Sequence, residues 1–206
     1  MNLAMAVPMD LPDRPLASPR ARFATQPAIP APVLAVALLI AAEVMLFAGL
    51  VAALLVLRGK APQWPPPGMP PLPVAVTAMN TLILLASGWT ATVANRAVRQ
   101  GERGRSSQAI GWTLALGVVF LGVQAFEWAR LLAHGLRADR STYAAVFYAL
   151  VGAHAAHVAG ALAVGAWVGW RWARGRLGPI GVRAMLAFWY FVVGLWPLLF
   201  ALVYLW

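Results

Sequence analysis

The sequence contains no cysteine and very little negative charge. Without thiols there is no disulfide, no thiolate metal site and no cysteine-bound iron–sulfur cluster. Six Asp+Glu stand against 16 Lys+Arg, a formal net charge of +10. Charged residues of both signs make up only 11% of the chain, while hydrophobic residues make up 62%. A soluble domain carries about 25% charged residues to cover its core. This chain cannot build such a shell, so its solvent is the bilayer. In a soluble protein so large a basic excess would suggest nucleic acid. Here the basic residues lie between apolar runs, at membrane edges, which sets the nucleic-acid reading aside.

Five apolar runs are long enough to cross roughly 30 Å of hydrocarbon at about 1.5 Å per helical residue. They cover residues 33–57, 74–94, 109–133, 143–170 and 184–206. The pattern predicts an all-α integral membrane protein, a bundle of five transmembrane helices. Residues 1–32 hold seven prolines and three arginines with no apolar run, and read as an extended N-terminal arm. The first span is too long for a signal-peptide core and is expected to stay in the mature chain. With the N-terminus inside, eleven basic residues fall on the inner side and five on the outer. The positive-inside rule therefore predicts a cytoplasmic N-terminus and an outer C-terminus.

The connection APQWPPPGMPPLP (61–73) cannot be helical and reads as a stiff, polyproline-like segment with Trp64 at headgroup level. The charged connection NRAVRQGERGRSSQ lies at the opposite membrane edge. Its Arg96 and Arg99, with Arg171 at the end of span four, are candidates for anionic lipid headgroups.

Ionisable groups inside a span cost about 2.5–3.5 kcal/mol at mid-depth and need partners. Span one carries Glu43, span two Asn80 and Thr81, span three Gln124 and Glu127, and span four His154 and His157. The expectation is an inward-facing buried polar cluster of Glu43, Asn80, Gln124, Glu127, His154 and His157, with the two glutamates and two histidines satisfying one another. The stretch VGAHAAHVAG also invites a metal or haem reading. A di-iron site wants more carboxylates than two. Two histidines three apart project from one side of a helix and cannot clasp a haem between them. Polar packing is the simpler account. Gly152, Ala156 and Gly160 form a smooth small-residue face on the same span, expected to let a neighbouring helix approach closely. Trp89, Trp112, Trp128, Trp167, Trp170, Trp172 and Trp206 suit an interfacial belt, while Trp189 and Trp196 lie deeper. Pro197 is expected to kink the last span.

Taken in order, several motifs resemble subunit III of the cytochrome c oxidases, in its shorter five-span form. AAEVMLFAGLVAALLVLRG is similar to the family's glutamate-bearing helix, with Glu43 in that place. WPP followed by MNTLILLASGWTATVA is similar to its Asn-Thr helix, with Asn80 and Thr81. GWTLALGVVFLGVQAFEWARL places Gln124 and Glu127 in a Gln-x-x-Glu pair. FYALVGAHAAHVAGA is similar to the family's Gly-x-His-Gly-x-His-Val segment, with His154 and His157 matching its histidines and Ala155 replacing the middle glycine. FWYFVVGLWPLLFALVYLW is similar to the last helix. The family's frequent Trp-His-Phe-Val-Asp is Trp189, Tyr190, Phe191, Val192 and Val193 here, so that histidine and acid are missing.

The resemblance implies an accessory subunit with no haem, copper or other cofactor of its own. Haems and copper would lie in partner subunits, with oxidase subunit I and subunit II as partners and further respiratory subunits or a supercomplex beyond them. The subunit would stabilise subunit I and hold structural phospholipids, in a complex that reduces oxygen and pumps protons. A bacterial cytoplasmic membrane is the expected location. The alternatives are a subunit III-like accessory protein of nitric oxide reductase and, in another class, a free-standing membrane cytochrome or transporter.

Overall fold

The computed structural model describes residues 29–206, and most of the N-terminal arm, residues 1–28, lies outside the described residues. Five long helices follow one another: α1 (Ala31–Lys60), α2 (Val74–Arg99), α3 (Arg103–Ala133), α4 (Thr142–Ala173) and α5 (Pro179–Phe200). A π-helical turn, Ala201–Leu205, continues α5. No strand occurs among the described residues. All five helices are long and apolar enough to cross a membrane.

Local chemistry explains where the helices start and stop. α1 and α5 carry proline in their first turn, where the missing N–H costs nothing. Ser141 caps α4, its Oγ accepting from the Ala144 N–H at 3.1 Å. The other ends of α2, α3 and α4 share one device. Gly101, Gly135 and Gly175 take φ of 74°, 92° and 69°, a left-handed turn that suits glycine. The following N–H then reaches back to close the helix: Glu102 to Ala97 O (3.0 Å), Leu136 to Leu131 O (3.0 Å) and Arg176 to Arg171 O (2.9 Å). The helices thus overrun the apolar runs. An apolar run marks hydrocarbon, whereas the helix continues through the interface until a glycine or proline ends it.

Packing is uneven. α2 and α3 make the largest helix pair, and α5 packs on α2 and α4. α1 touches mainly α5 and, less, α4, and only Phe47 and Leu54 along it are buried. Close approach is set by two glycines. A Cβ on Gly117 would lie 2.5 Å from Trp189 Cη2, and one on Gly165 would lie 2.7 Å from Leu114 Cδ2. The expected small-residue face of α4 does not do this. Ala156 and Gly160 are exposed, and a Cβ on Gly160 would meet nothing within 4 Å. That face instead lines a groove whose other walls are α1 and α5, with Val36, Leu39 and Glu43 on the α1 side, so none of the described helices closes onto it.

Five of the expected belt tryptophans, Trp89, Trp112, Trp167, Trp170 and Trp206, are exposed. Trp128 is half-buried, and Trp172 departs from the belt reading. Trp172 is buried between α4 and α3, with its indole N–H donating to Ser106 Oγ at 2.9 Å. Pro197 lies inside α5, and the ladder shifts to π register a turn later, with the Trp206 N–H reaching Ala201 O at 3.1 Å.

Candidate functional site: polar groups inside the bundle

Residues three apart on a helix point about 60° apart in projection, enough to face two different neighbours. This geometry divides the expected cluster. His157 looks toward α1, where its Nε2 lies 2.7 Å from Glu43 Oε2. Its Nδ1 lies 2.6 Å from Ala153 O. A carbonyl oxygen can only accept, so Nδ1 carries a hydrogen. The contact with Glu43 is then a hydrogen bond only when one further proton sits between Nε2 and the carboxylate. Whichever partner holds it, the pair as a whole is neutral, the form that costs least in lipid. Both residues sit near the middle of their helices, and their side chains are 15% (Glu43) and 20% (His157) exposed to a groove between α1, α4 and α5.

His154 faces the other way, into the core. It is buried, stacks on Trp196 (ring centroids 4.9 Å, 28°) and meets Phe120 edge-on at 6.2 Å. Neither ring nitrogen has a hydrogen-bond partner. It is held by aromatic contact alone. Asn80 is buried between α2 and α3, where its amide donates to Phe120 O at 3.0 Å. Gln124 donates to Tyr204 Oη at 3.4 Å. Glu127, with only 5% of its side chain exposed, accepts from Arg130 Nη1 at 3.2 Å, and that arginine is 55% exposed. Together with His134 and the Pro70, Pro71 and Pro73 of the connecting loop, Glu127 and Arg130 line a small cavity of about 180 Å³. Glu43 and His157 therefore meet, while His154, Asn80, Gln124 and Glu127 each find a separate partner or none.

A second set of polar contacts was not legible in the sequence. Trp196 Nε1 donates to Thr81 Oγ1 at 2.9 Å, Trp189 Nε1 to Ser87 Oγ at 3.2 Å, and Trp172 Nε1 to Ser106 Oγ at 2.9 Å. Thr90 and Thr113 hydroxyls meet at 2.9 Å. Each joins two helices through a small hydroxyl, opposite an indole in three cases and opposite a second hydroxyl in the fourth. The available signal was weak: serines and threonines spaced along α2, with deep tryptophans on α5.

The helix ends near Pro30, Arg99, Arg103, Arg171 and Arg183 form one face of the bundle. Glu102 is the one described carboxylate in this basic region, and it pairs with Arg105 at 3.4 Å. Arg103 lies over Trp172, Arg171 over Trp167, and Arg174 and Arg176 over Trp170. Among the described residues, no group of three or more His, Asp or Glu could hold a metal ion.

The family model described as "Cytochrome c oxidase subunit III" matches residues 29–206. The chain belongs to the cytochrome c oxidase subunit III family. Among its relatives, "Cytochrome c oxidase subunit 3" of Synechocystis is 34% identical over 82% of this chain and 73% of its own length. The protein of that name from Thermostichus vulcanus is 35% identical over 84% of this chain and 86% of its own. "Cytochrome bo(3) ubiquinol oxidase subunit 3" of Pseudomonas aeruginosa is 34% identical over 62% of each chain. The subunit III match takes in all five helices and every polar residue described above.

Proposed function

We propose that this subunit III is a non-catalytic part of a membrane-embedded haem–copper oxidase, packing beside an oxygen-reducing subunit I and a subunit II. The observation that carries the reading is the family match across the whole described bundle. The side-chain chemistry supports it. Most polar groups inside the bundle join helices or neutralise a neighbour, and His154 and His157 point to different surroundings rather than to one ligand. Haems and copper belong to the partner subunits, and this chain contributes packing surface and lipid contacts. α1 exposes most of its length, a large apolar surface suited to lipid or to another subunit.

The arginine-rich face would lie at the cytoplasmic side of a bacterial inner membrane, with the C-terminus outside. Arg96, Arg99 and Arg171 remain candidate headgroup contacts. A direct test is a reduced-minus-oxidised spectrum of the purified chain separated from its partners. The account expects no haem band and no copper by elemental analysis. A stoichiometric haem bound to the isolated chain would overturn the accessory reading in favour of a membrane cytochrome.

A further inference from the structure

The α2–α3 and α4–α5 connections lock into one basic corner. Arg103, at the start of α3, lies over Trp172 with its guanidinium carbon 4.6 Å from the ring centroid. Its Nη1 sits so close to Gly175 that a Cβ there would lie 2.7 Å away. Trp172 is itself pinned, because its indole N–H donates to Ser106 Oγ at 2.9 Å. Past the end of α4, Arg174 lies over Trp170 at 4.7 Å and Arg176 over the same ring at 5.8 Å. Arg171 braces this turn by donating from Nη2 to Arg176 O at 3.3 Å.

Arg103, Arg174 and Arg176 are all exposed. No described carboxylate answers them, since Glu102, the one described acid in this region, pairs with Arg105 at 3.4 Å. An indole over the flat face of a guanidinium leaves the N–H edge outward, and that edge forks onto a carboxylate. Stacking also fixes the long side chain beforehand, so less rotamer freedom is lost when a partner arrives. Length sets the corner apart from the bilayer. The 32 residues of α4 rise about 48 Å at about 1.5 Å each, more than the roughly 40–45 Å of a bilayer with its headgroups. Arg174 and Arg176 follow the last residue of that helix. They stand at the aqueous edge of the headgroup layer, where a protein segment meets them more fully than a lipid phosphate does.

We propose that Arg103, Arg174 and Arg176 form a docking corner for an acidic segment of a companion chain, its carboxylates received by the outward guanidinium edges. Charge complementarity names the partner's chemistry: a stretch with two or more Asp or Glu, lying in water beside the membrane. Arginine and tryptophan are also the residues that dominate binding energy at protein interfaces. The pinned Trp172 and the close fit of Gly175 hold the two connections in fixed register, so the three guanidiniums present one constant pattern. The inference rests on the accessory-subunit reading above and adds a surface and a partner chemistry to it.

The test is site-specific photocrosslinking in the assembled complex, purified from its own membranes in mild detergent. p-Benzoylphenylalanine replaces Ala173, which is exposed beside the three arginines. Mass spectrometry of the linked peptide should identify a companion chain and a stretch of it holding two or more Asp or Glu. Raised salt during illumination should lower the yield, which needs no variant of the corner. Combined Arg103→Gln, Arg174→Gln and Arg176→Gln should lower it at least fivefold. A charge-matched triple at the opposite face, Arg58→Gln, Arg137→Gln and Arg140→Gln, should leave it unchanged. A link to lipid, to residues 1–28 of this chain or to a stretch without acids would overturn the proposal. So would a yield indifferent to salt, or equal yields in the two triples. Companion chains present with no link overturn the proposal alone. Recovery of the chain without companions overturns the accessory reading together with it.

Discussion

Gly117→Ala should loosen the centre of the bundle even though alanine is the better helix former. The added Cβ would stand 2.5 Å from Trp189 Cη2 and 2.9 Å from Leu162 Cδ2. Neither group has an easy retreat, because Trp189 is fully buried and its N–H is held by Ser87 Oγ at 3.2 Å. Overpacking of this kind costs about 1–3 kcal/mol. Moving the indole would also lose an interhelical hydrogen bond worth about 0.6 kcal/mol in a membrane protein. The gain from replacing a helical glycine offsets up to about 1 kcal/mol. With the full offset the balance is a loss of about 0.6–2.6 kcal/mol by those same terms. Gly122→Ala is the matched control, since a Cβ there meets nothing within 4 Å. Thermal unfolding of both variants in one detergent, followed by tryptophan fluorescence, measures the difference. A Gly117→Ala protein at least as stable as Gly122→Ala would refute the packing argument.

Three more outcomes follow from the polar groups. His154→Phe should change stability by less than about 1 kcal/mol, because it breaks no hydrogen bond and keeps an aromatic ring on Trp196; a loss above about 2 kcal/mol in the same melt would mean that the histidine has a partner. Glu43→Gln should be mild and Glu43→Leu costlier by about 1–2 kcal/mol, since leucine leaves His157 Nε2 unpaired in the groove; equal melting temperatures for the two would remove the pair from the account. Arg130→Ala should cost more than Glu127→Gln, by about 1–3 kcal/mol, because it leaves a buried carboxyl without its guanidinium while the reverse change leaves an arginine already open to water; the reverse order in thermal melts would contradict this asymmetry.

The spans were legible because hydrocarbon imposes a single requirement, a long apolar run, and the helix ends could not hide it. Their overruns were not, since Gly101, Gly135 and Gly175 act through local backbone geometry beyond the apolar window. Spacing identified Gln124 and Glu127, and His154 and His157, as neighbours on their helices. It could not say which neighbouring helix each would meet, and a 60° difference in direction was enough to send His157 to Glu43 and His154 to Trp196. Position along the chain gives the depth of Trp172 but not its facing, and the ring turns inward to Ser106 rather than to the interface. A small-residue pattern shows that α4 has a smooth face but not what fills it, and Ala156 and Gly160 stay exposed in the groove beside α1.

The central claim is that this bundle exists to stand beside a catalytic oxidase subunit. Its most direct test is affinity purification of the tagged chain from its own membranes in mild detergent, with co-purifying chains identified by mass spectrometry. The account predicts a histidine-rich, many-span haem–copper subunit together with a copper-bearing subunit, in fixed proportion to this chain. Recovery of the chain alone, or with partners that bind neither haem nor copper, would contradict it.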